Sequence, residues 1–474
     1  MINSRFFIFC ILGLAAVMSA TVGMTSCIND SMTTSPNDIL TFSRDTVDFD
    51  TVFTDLGTPT ARLIVRNRAK KGINISSIRL RNAESNFSFN VDGVSGHEFH
   101  DVEIRGRDSI YVFIECHIPE TSDRQPVLVS DDLEFVTNGV TQTVRLEAYG
   151  QNVTRLRNVR VSSDMRLTAD RPYVVFDSLT VESGATLTID PGTQLLFHDG
   201  ARLVVEGRLH AAGEQGKMIA MRGDRIDNVL PDVSYDIMSG QWYGVRIAPE
   251  SFGNVMDYVD MRSTVTGLVV DSCANLTTDK LTLTNCWLHN SKGNVLTSSY
   301  ARVNAYGCCF SEAANSVVQL TGGRHEFLQC TFANNYLFSA IRGALVSLNH
   351  LLPADAETGN DQPLMQANFA NSIIYGLGDD LNHDDLTGSQ VFFDYVSLKA
   401  GGSDDDNFRN CLWETDPLFL TVRADYYFNY RLQEDSPVRA AGDPALVTPQ
   451  VRFDMDGIDR LADGNPSLGA YQLR

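Results

Sequence analysis

The side chains with the clearest capacity for chemistry lie close together in the chain: Asp257, Asp260, Arg262, Trp287, His289 and Tyr306. An indole and a phenol stack on the apolar faces of sugar rings, and carboxylates, a guanidinium and an imidazole satisfy ring hydroxyls, so the set has the composition of a glycan platform. Two catalytic arrangements compete with that reading. Calcium-assisted elimination needs carboxylates on successive layers, with a basic side chain to take the proton. Beyond Asp257, Asp260 and Arg262 the matching positions are Thr284, Trp287, Tyr306 and Cys309, so calcium has thin support and no metal ligands are assigned. Glycoside hydrolysis needs two carboxyls facing each other across a cleft, and no repeat presents such a pair on neighbouring strands. The expectation is a binding surface of these six residues with no catalytic residue. A solvated face with tolerated aromatics fits the same residues.

Positioning them falls to a repeat. Leu283-Thr284-Asn285-Cys286-Trp287-Leu288, Phe327-Leu328-Gln329-Cys330-Thr331-Phe332 and Phe408-Arg409-Asn410-Cys411-Leu412-Trp413 are versions of one phrase. Cys286, Cys308 and Cys330 are evenly spaced, since 308 − 286 and 330 − 308 both give 22, the signature of one structural unit stacked repeatedly. With the cysteine position as zero, the residue three earlier runs Met256, Leu283, Ala305, Phe327, Phe369, Phe408, and the residue two later runs Met261, Leu288, Phe310, Phe332, Ile374, Trp413. Side chains alternate with period 2 in a strand, so these columns point inward. One place before zero stand Asn285, Gln329, Asn371 and Asn410, with Tyr258 and Gly307 as exceptions; amides in parallel register predict a hydrogen-bonded ladder at a bend. At ~3.3 Å per residue, about 22 residues trace a closed course of short strands, each ~4.8 Å above the last. The fold class is therefore all-β, its larger part a right-handed parallel β-helix over residues 165–474. An antiparallel sandwich would have no reason to keep chemical identity at a fixed long period.

The segment 39–152 reads differently. Val47-Asp48-Phe49, Leu63-Ile64-Val65, Ile73-Asn74-Ile75, Phe87-Ser88-Phe89, Ile110 to Ile114, Leu133-Glu134-Phe135 and Val144-Arg145-Leu146, with turn signals such as Asn138-Gly139, predict an immunoglobulin-like β-sandwich. The net charge of −21 argues against nucleic acid as a partner, because phosphates need lysine and arginine opposite them. Met1 to Arg5 and the apolar Phe6 to Met18 form a signal peptide ending at residue 26, too short for a spanning helix. Residues 27–38 are polar enough to be a tether. Cys286, Cys308, Cys330 and Cys411 are expected as buried small hydrophobes, because stacked parallel Cβ vectors are poorly aimed for a disulfide; a Cys308 to Cys330 bridge is the alternative.

Met24-Thr25-Ser26-Cys27 resembles the lipobox of bacterial lipoproteins, with Met24 where leucine is usual. That resemblance implies acylation at Cys27, a membrane contact through the lipid anchor, and an exported outer-membrane protein of the Bacteroidetes type. Asp48-Phe49 with Val52, Val65 with Asn67, Gly106 to Ile110, His117-Ile118-Pro119 and Ala148-Tyr149-Gly150 resemble the ASH-like immunoglobulin-fold modules, which serve as spacers. Asp190-Pro191-Gly192, Val205-Glu206-Gly207 and Trp242-Tyr243-Gly244-Val245 resemble the opening coils of bacterial β-helix proteins of the pectate-lyase-like superfamily. Asp416-Pro417-Leu418-Phe419, Tyr430-Arg431-Leu432, Asp454-Met455-Asp456-Gly457 with Arg460, and Leu468-Gly469-Ala470-Tyr471 resemble the terminal segment of choice-of-anchor Q proteins. Gln472 stands there in place of the usual acid, and the segment is expected to cap the coil. Three polar stretches, Leu352 to Leu364, Asp379 to Asp385 and Ser403 to Asn407, read as loops leaving the stack, where function concentrates. Together these observations imply a cell-envelope protein whose β-helix serves binding or surface scaffolding, with a polysaccharide or cell-surface glycan as the expected partner. The alternative is a carbohydrate-active enzyme, a polysaccharide lyase or glycoside hydrolase, with its site on the β-helix face or in its loops.

Overall fold

The computed structural model describes residues 31–473 except 124, 231–232, 351–362, 384–385 and 425–426. Cys27, the signal peptide and part of the tether lie outside the described residues, as do Asp384 and Asp385. The chain divides into two compact units, up to Gln151 and from Asn152 onward. It is all-β: an immunoglobulin-like β-sandwich followed by a right-handed parallel β-helix.

The first unit has two five-stranded sheets. Thr46–Phe53 pairs in parallel with Val140–Gln151, while the other pairings are antiparallel. The Asn138-Gly139 signal closes the hairpin Val127–Thr137 to Val140–Gln151, both residues having positive φ (51° and 79°), as a two-residue primed turn requires. Alternating residues such as Val47, Leu63, Val65, Ile75, Val112 and Phe135 fill the space between the sheets.

The second unit is one continuous 25-stranded parallel sheet wound into coils. It begins at Thr154–Val161, earlier than the position 165 read from the sequence. The register places Met256, Leu283, Ala305, Phe327 and Phe369 in one inward column. Above Phe327 the phenyl rings stack face to face: Phe327 to Phe369 at 5.0 Å, Phe369 to Phe393 at 4.9 Å, Phe393 to Phe408 at 4.6 Å, all within 9° of parallel. Those separations match the ~4.8 Å rise of a coil, so ring stacking and backbone pairing are satisfied together. Phe393 to Leu398 is a coil that the repeat phrase hides. Ser372 pairs with Val396 there, and Cys411 belongs one course further on. Tyr395 and Val396 occupy the positions where the phrase elsewhere has an amide and a small residue.

The column before the cysteines is a bend. Tyr258, Asn285, Gly307, Gln329, Asn371, Tyr395 and Asn410 all have φ between 47° and 65°, the left-handed region that asparagine and glycine tolerate best. Gly307 is required twice over, because a Cβ there would lie 2.4 Å from Asn285 Oδ1. The expected amide ladder does not form: no hydrogen bond joins one of these side-chain amides to another among the described residues. Asn371 instead exchanges two bonds of 2.9 Å with the Asp443 backbone, and Gln329 Oε1 accepts from Arg460. Cys286, Cys308 and Cys330 form a vertical file, fully buried and unbridged, with the Cys286 N–H 3.4 Å from Cys308 Sγ.

The C-terminal segment lies along the flank of the coils rather than across their end. Phe419, Tyr430, Leu432, Met455, Leu468 and Tyr471 pack on the outward residues Cys309, Ala333 and Ile373. Arg460, fully buried, donates to Gln329 Oε1 and to the Gly469 and Ala470 carbonyls. The Asp454 carboxylate accepts from the backbone N–H groups of Asp456, Ile458 and Gln472, so it shapes a turn. Gln472 fills its position as an amide, its Oε1 accepting from the Ser467 N–H.

Candidate functional site, a lidded cavity on the coil flank

Three adjacent strands, Val259–Thr264, Trp287–Ser291 and Cys309–Ala313, place Asp260 beside Trp287 and Arg262 beside His289, with Cys309 and Ser311 on the course above. Asp260, Arg262, Trp287 and His289 project outward and line a cavity of about 250 Å³, joined by Glu312 from the upper strand. Two excursions and one hairpin wall it in. The connection between 223 and 244 contributes Asp236 and Ile237; the loop after Asn334 contributes Tyr336, Leu337 and Phe338; the C-terminal hairpin contributes Phe428. The first wall is tied down by Arg262, which donates Nε and Nη2 to Asp236 at 3.0 Å each, by Arg222 at 2.7 Å from the same carboxylate, and by Asn290 Nδ2 to the Ile237 carbonyl. The second is tied through a Tyr336 to Ser239 hydroxyl pair and an edge-to-face contact of Tyr336 with Phe338.

The charges in this cavity are mostly paired. Arg262 Nη1 reaches Asp260 Oδ2 and His289 Nε2 lies 3.1 Å from Asp260 Oδ1. Burial pushes the Asp260 carboxyl up, but Arg262 and His289 together outweigh it and hold the group at about 2. Burial likewise opposes ionisation of Asp236, and the two arginines overcome it. Glu312 goes the other way. Its burial raises the carboxyl above the usual range, against His289 and hydrogen bonds from Ser311, Tyr430 and the Asn335 backbone. One cavity thus holds one carboxyl pulled below the usual range and one pushed above it, environments that draw acid and base roles apart. Trp287 stacks on His289 at 4.1 Å and 16°, its Nε1 donating to Ser311 Oγ at 3.0 Å.

The six residues expected to share one face are divided. Asp257 and Tyr306 point outward, but from the strands Asn254–Asp257 and Arg302–Tyr306, across the bend at Tyr258 and Gly307. They sit in a separate column with Thr284. The Tyr306 hydroxyl donates to Glu326 Oε2 at 2.9 Å, at the edge of another groove of about 420 Å³. A left-handed residue between two strands turns the chain onto a new side of the coil, so outward alternation alone does not keep residues together. Glu312, Asp236 and the aromatic walls were not singled out from the sequence. Asn335-Tyr336-Leu337-Phe338, an apolar cluster where the chain leaves the stack, was the signal available.

The loops singled out in the sequence line other places. Asp404 accepts from the backbone of Asn410 and Cys411 and from Trp413 Nε1, and Asp405 from Asn407 and Phe408. Both carboxylates are spent on local structure. Asp380 accepts from the Ala400 N–H, and most of 352–364 lies outside the described residues. No group of three or more metal-ligating side chains occurs among the described residues, and none of their helices is long and apolar enough to cross a membrane.

No family model matches the chain, and no curated protein sequence matches it. Among solved structures, a protein of unknown function from Porphyromonas gingivalis W83 is 12% identical with a TM-score of 0.18, covering 26% of this chain and 60% of that one. A family 123 glycoside hydrolase from Clostridium perfringens is 9% identical, TM-score 0.16, covering 24% and 26%. The chain therefore spans less than two thirds of either. A family 28 exopolygalacturonase from Yersinia enterocolitica is 7% identical, TM-score 0.18, covering 74% of this chain and 90% of that one. Likenesses of this size carry no argument about what this chain binds, and the parallel β-helix rests on its own strand pairing.

Proposed function

We propose that this protein binds one unit of a polysaccharide or cell-surface glycan in the cavity over Asp260 and His289. It does so as an exported, Bacteroidetes-type lipoprotein held to the outer membrane through Cys27, with the immunoglobulin-like module as spacer. The binding reading is carried by one observation, a cavity of about 250 Å³ in which aromatic and apolar walls from Trp287, Tyr336, Phe338 and Phe428 surround fixed polar groups. Its volume falls just below the roughly 300–1,000 Å³ of pockets for drug-sized ligands and suits a single ring rather than an oligomer. The anchoring reading is supported by the sequence of residues 1–38.

The test is retention on glycan affinity gels, with and without calcium, of the protein and of two variants. Phe338 is 37% exposed, so Phe338→Ala perturbs the wall without disturbing the core, while Trp287→Ala removes the inner surface. We expect both to weaken retention by roughly tenfold or more, the loss of about 1.4 kcal/mol of stacking. Unchanged retention in both removes the cavity from glycan binding. A second reading, hydrolysis of the bound glycan, is favoured by the opposite directions in which Asp260 and Glu312 are shifted within one cavity. Release of new reducing ends from a retained polysaccharide distinguishes it.

A further inference from the structure

A second flank of the coils carries polar groups that the fold leaves unspent. Glu326, Asn368 and Phe392 belong to the strands Gly323–Leu328, Leu364–Gly376 and Val391–Leu398, and the register sets them in one outward file, one per course. They border the groove of about 420 Å³, a volume within the roughly 300–1,000 Å³ of ligand pockets. All three are half-buried and keep surface toward solvent, and Gln390, which also lines the groove, is exposed. At ~4.8 Å per course the file runs ~10 Å along the coil axis. A ligand extended along that axis meets a new side chain at each course.

The groups around the groove are held in place before anything binds. The Tyr306 hydroxyl fixes Glu326 through Oε2 at 2.9 Å, which leaves Oε1 as an open acceptor. Arg409 lies over the Phe392 ring at 4.7 Å and is itself clamped by Asp394 at 2.8 and 3.0 Å. Ala445 and Leu446 form a further wall, pinned where Asn371 exchanges its two bonds with the Asp443 backbone. Groups fixed in this way lose little freedom on binding. Among the described residues, neither the Asn368 nor the Gln390 side-chain amide has a hydrogen-bond partner. A carboxylate and two amides therefore offer acceptors and donors beside the apolar surface of Phe392, Ala445 and Leu446, the mixture that matches the hydroxyls and C–H faces of linked sugar rings. Arg409 is the one arginine among the lining residues, and Asp394 answers its charge, so no spare cation faces an anionic chain.

We propose that this groove is a second glycan site, taking two or more linked units of a neutral polysaccharide laid along the coil axis. Glu326 accepts from sugar hydroxyls, Asn368 and Gln390 exchange hydrogen bonds with them, and Phe392 meets a C–H face. No residue of the cavity over Asp260 takes part, so the two sites stand or fall separately.

The test is isothermal titration of the protein with neutral gluco-, manno-, galacto- and xylo-oligosaccharides of one to five units, and with oligogalacturonides of the same lengths. At least one neutral series should tighten ~10-fold or more between one unit and four, as hydrogen bonds and the Phe392 contact are added, with oligogalacturonides weaker throughout. Phe392→Ala and Asn368→Ala should each cost the four-unit chain ~5–10-fold, and Gln390→Ala ~3-fold. Thermal melting shows that the first two are folded, and Gln390 is exposed, so its truncation leaves the core intact. Trp287→Ala should leave the gain with length unchanged. Affinity independent of length, a gain kept by all three groove variants, or a preference for oligogalacturonides overturns the groove site. A gain lost only in Trp287→Ala overturns it too and leaves the cavity standing. A gain that survives Trp287→Ala and fails in the groove variants supports the groove even where the cavity binds no single unit. Binding of no sugar at any length overturns both.

Discussion

Removing the charge of Asp260 tests the electrostatics of the cavity directly. In Asp260→Asn the amide oxygen still faces His289, and the variant loses the attraction to Arg262. The carboxyl is held at about 2 against an ordinary 3.8, close to two units, with its side chain only 23% exposed. At ~1.4 kcal/mol per unit this is ~2.5 kcal/mol favouring the folded protein at neutral pH. The sign follows from the lowered value. The contribution is complete above the unfolded-state value of 3.8, declines as pH falls below it, and is gone once pH drops through about 2. All three tryptophans, Trp242, Trp287 and Trp413, lie in the β-helix, so their fluorescence in urea titrations reports that unit alone. Comparing wild type and variant at each pH cancels the other carboxylates. We expect a gap of ~2–3 kcal/mol at pH 6 that shrinks between pH 4 and 2. A gap constant with pH, or none at pH 6, refutes the idea that Arg262 and His289 keep this carboxylate ionised.

His325 is fully buried with Nε2 bonded to the Gly322 carbonyl, and burial lowers it to about 4. Because the unfolded chain takes up this proton near 6.5, stability should fall by ~3 kcal/mol as pH drops from 6.5 to 4. His325→Met should flatten that part of the profile in the same fluorescence titrations. Phe393→Ala opens a gap in the stacked phenyl column and should cost ~3–5 kcal/mol, read as a lowered urea midpoint. A cost below 1 kcal/mol would mean that Phe369 and Phe408 close over the space.

The fold was legible because its rule is short. Inward columns must be apolar, and the bend must be left-handed, so Met256 to Phe408 and Asn285 to Asn410 write the same two constraints at each turn. The coil at Phe393 to Leu398 was missed because Tyr395 satisfies the bend through backbone conformation (φ 54°) with no amide to advertise it. The amide column has another role than a ladder: two of its side chains, Gln329 and Asn371, hold the C-terminal segment instead of one another. At the site, alternation within single strands located Asp260, Arg262, Trp287 and His289, but it could not tell which side of the bend Asp257 and Tyr306 would take. Glu312 and Asp236 depend on contacts with residues far along the chain, such as Tyr430 and Arg262, and no local pattern encodes those.

The flanking C-terminal segment also bears on the order of assembly. Its anchor points, Cys309, Gln329, Ala333, Asn371 and Ile373, come from three successive courses, so it has nowhere to settle until those courses are wound. Phe428 and Tyr430, which close the cavity and orient Glu312, arrive with it. The closed cavity is therefore a property of finished molecules only: a chain released early would show a bare apolar strip on the coil flank and a cavity still lacking one wall.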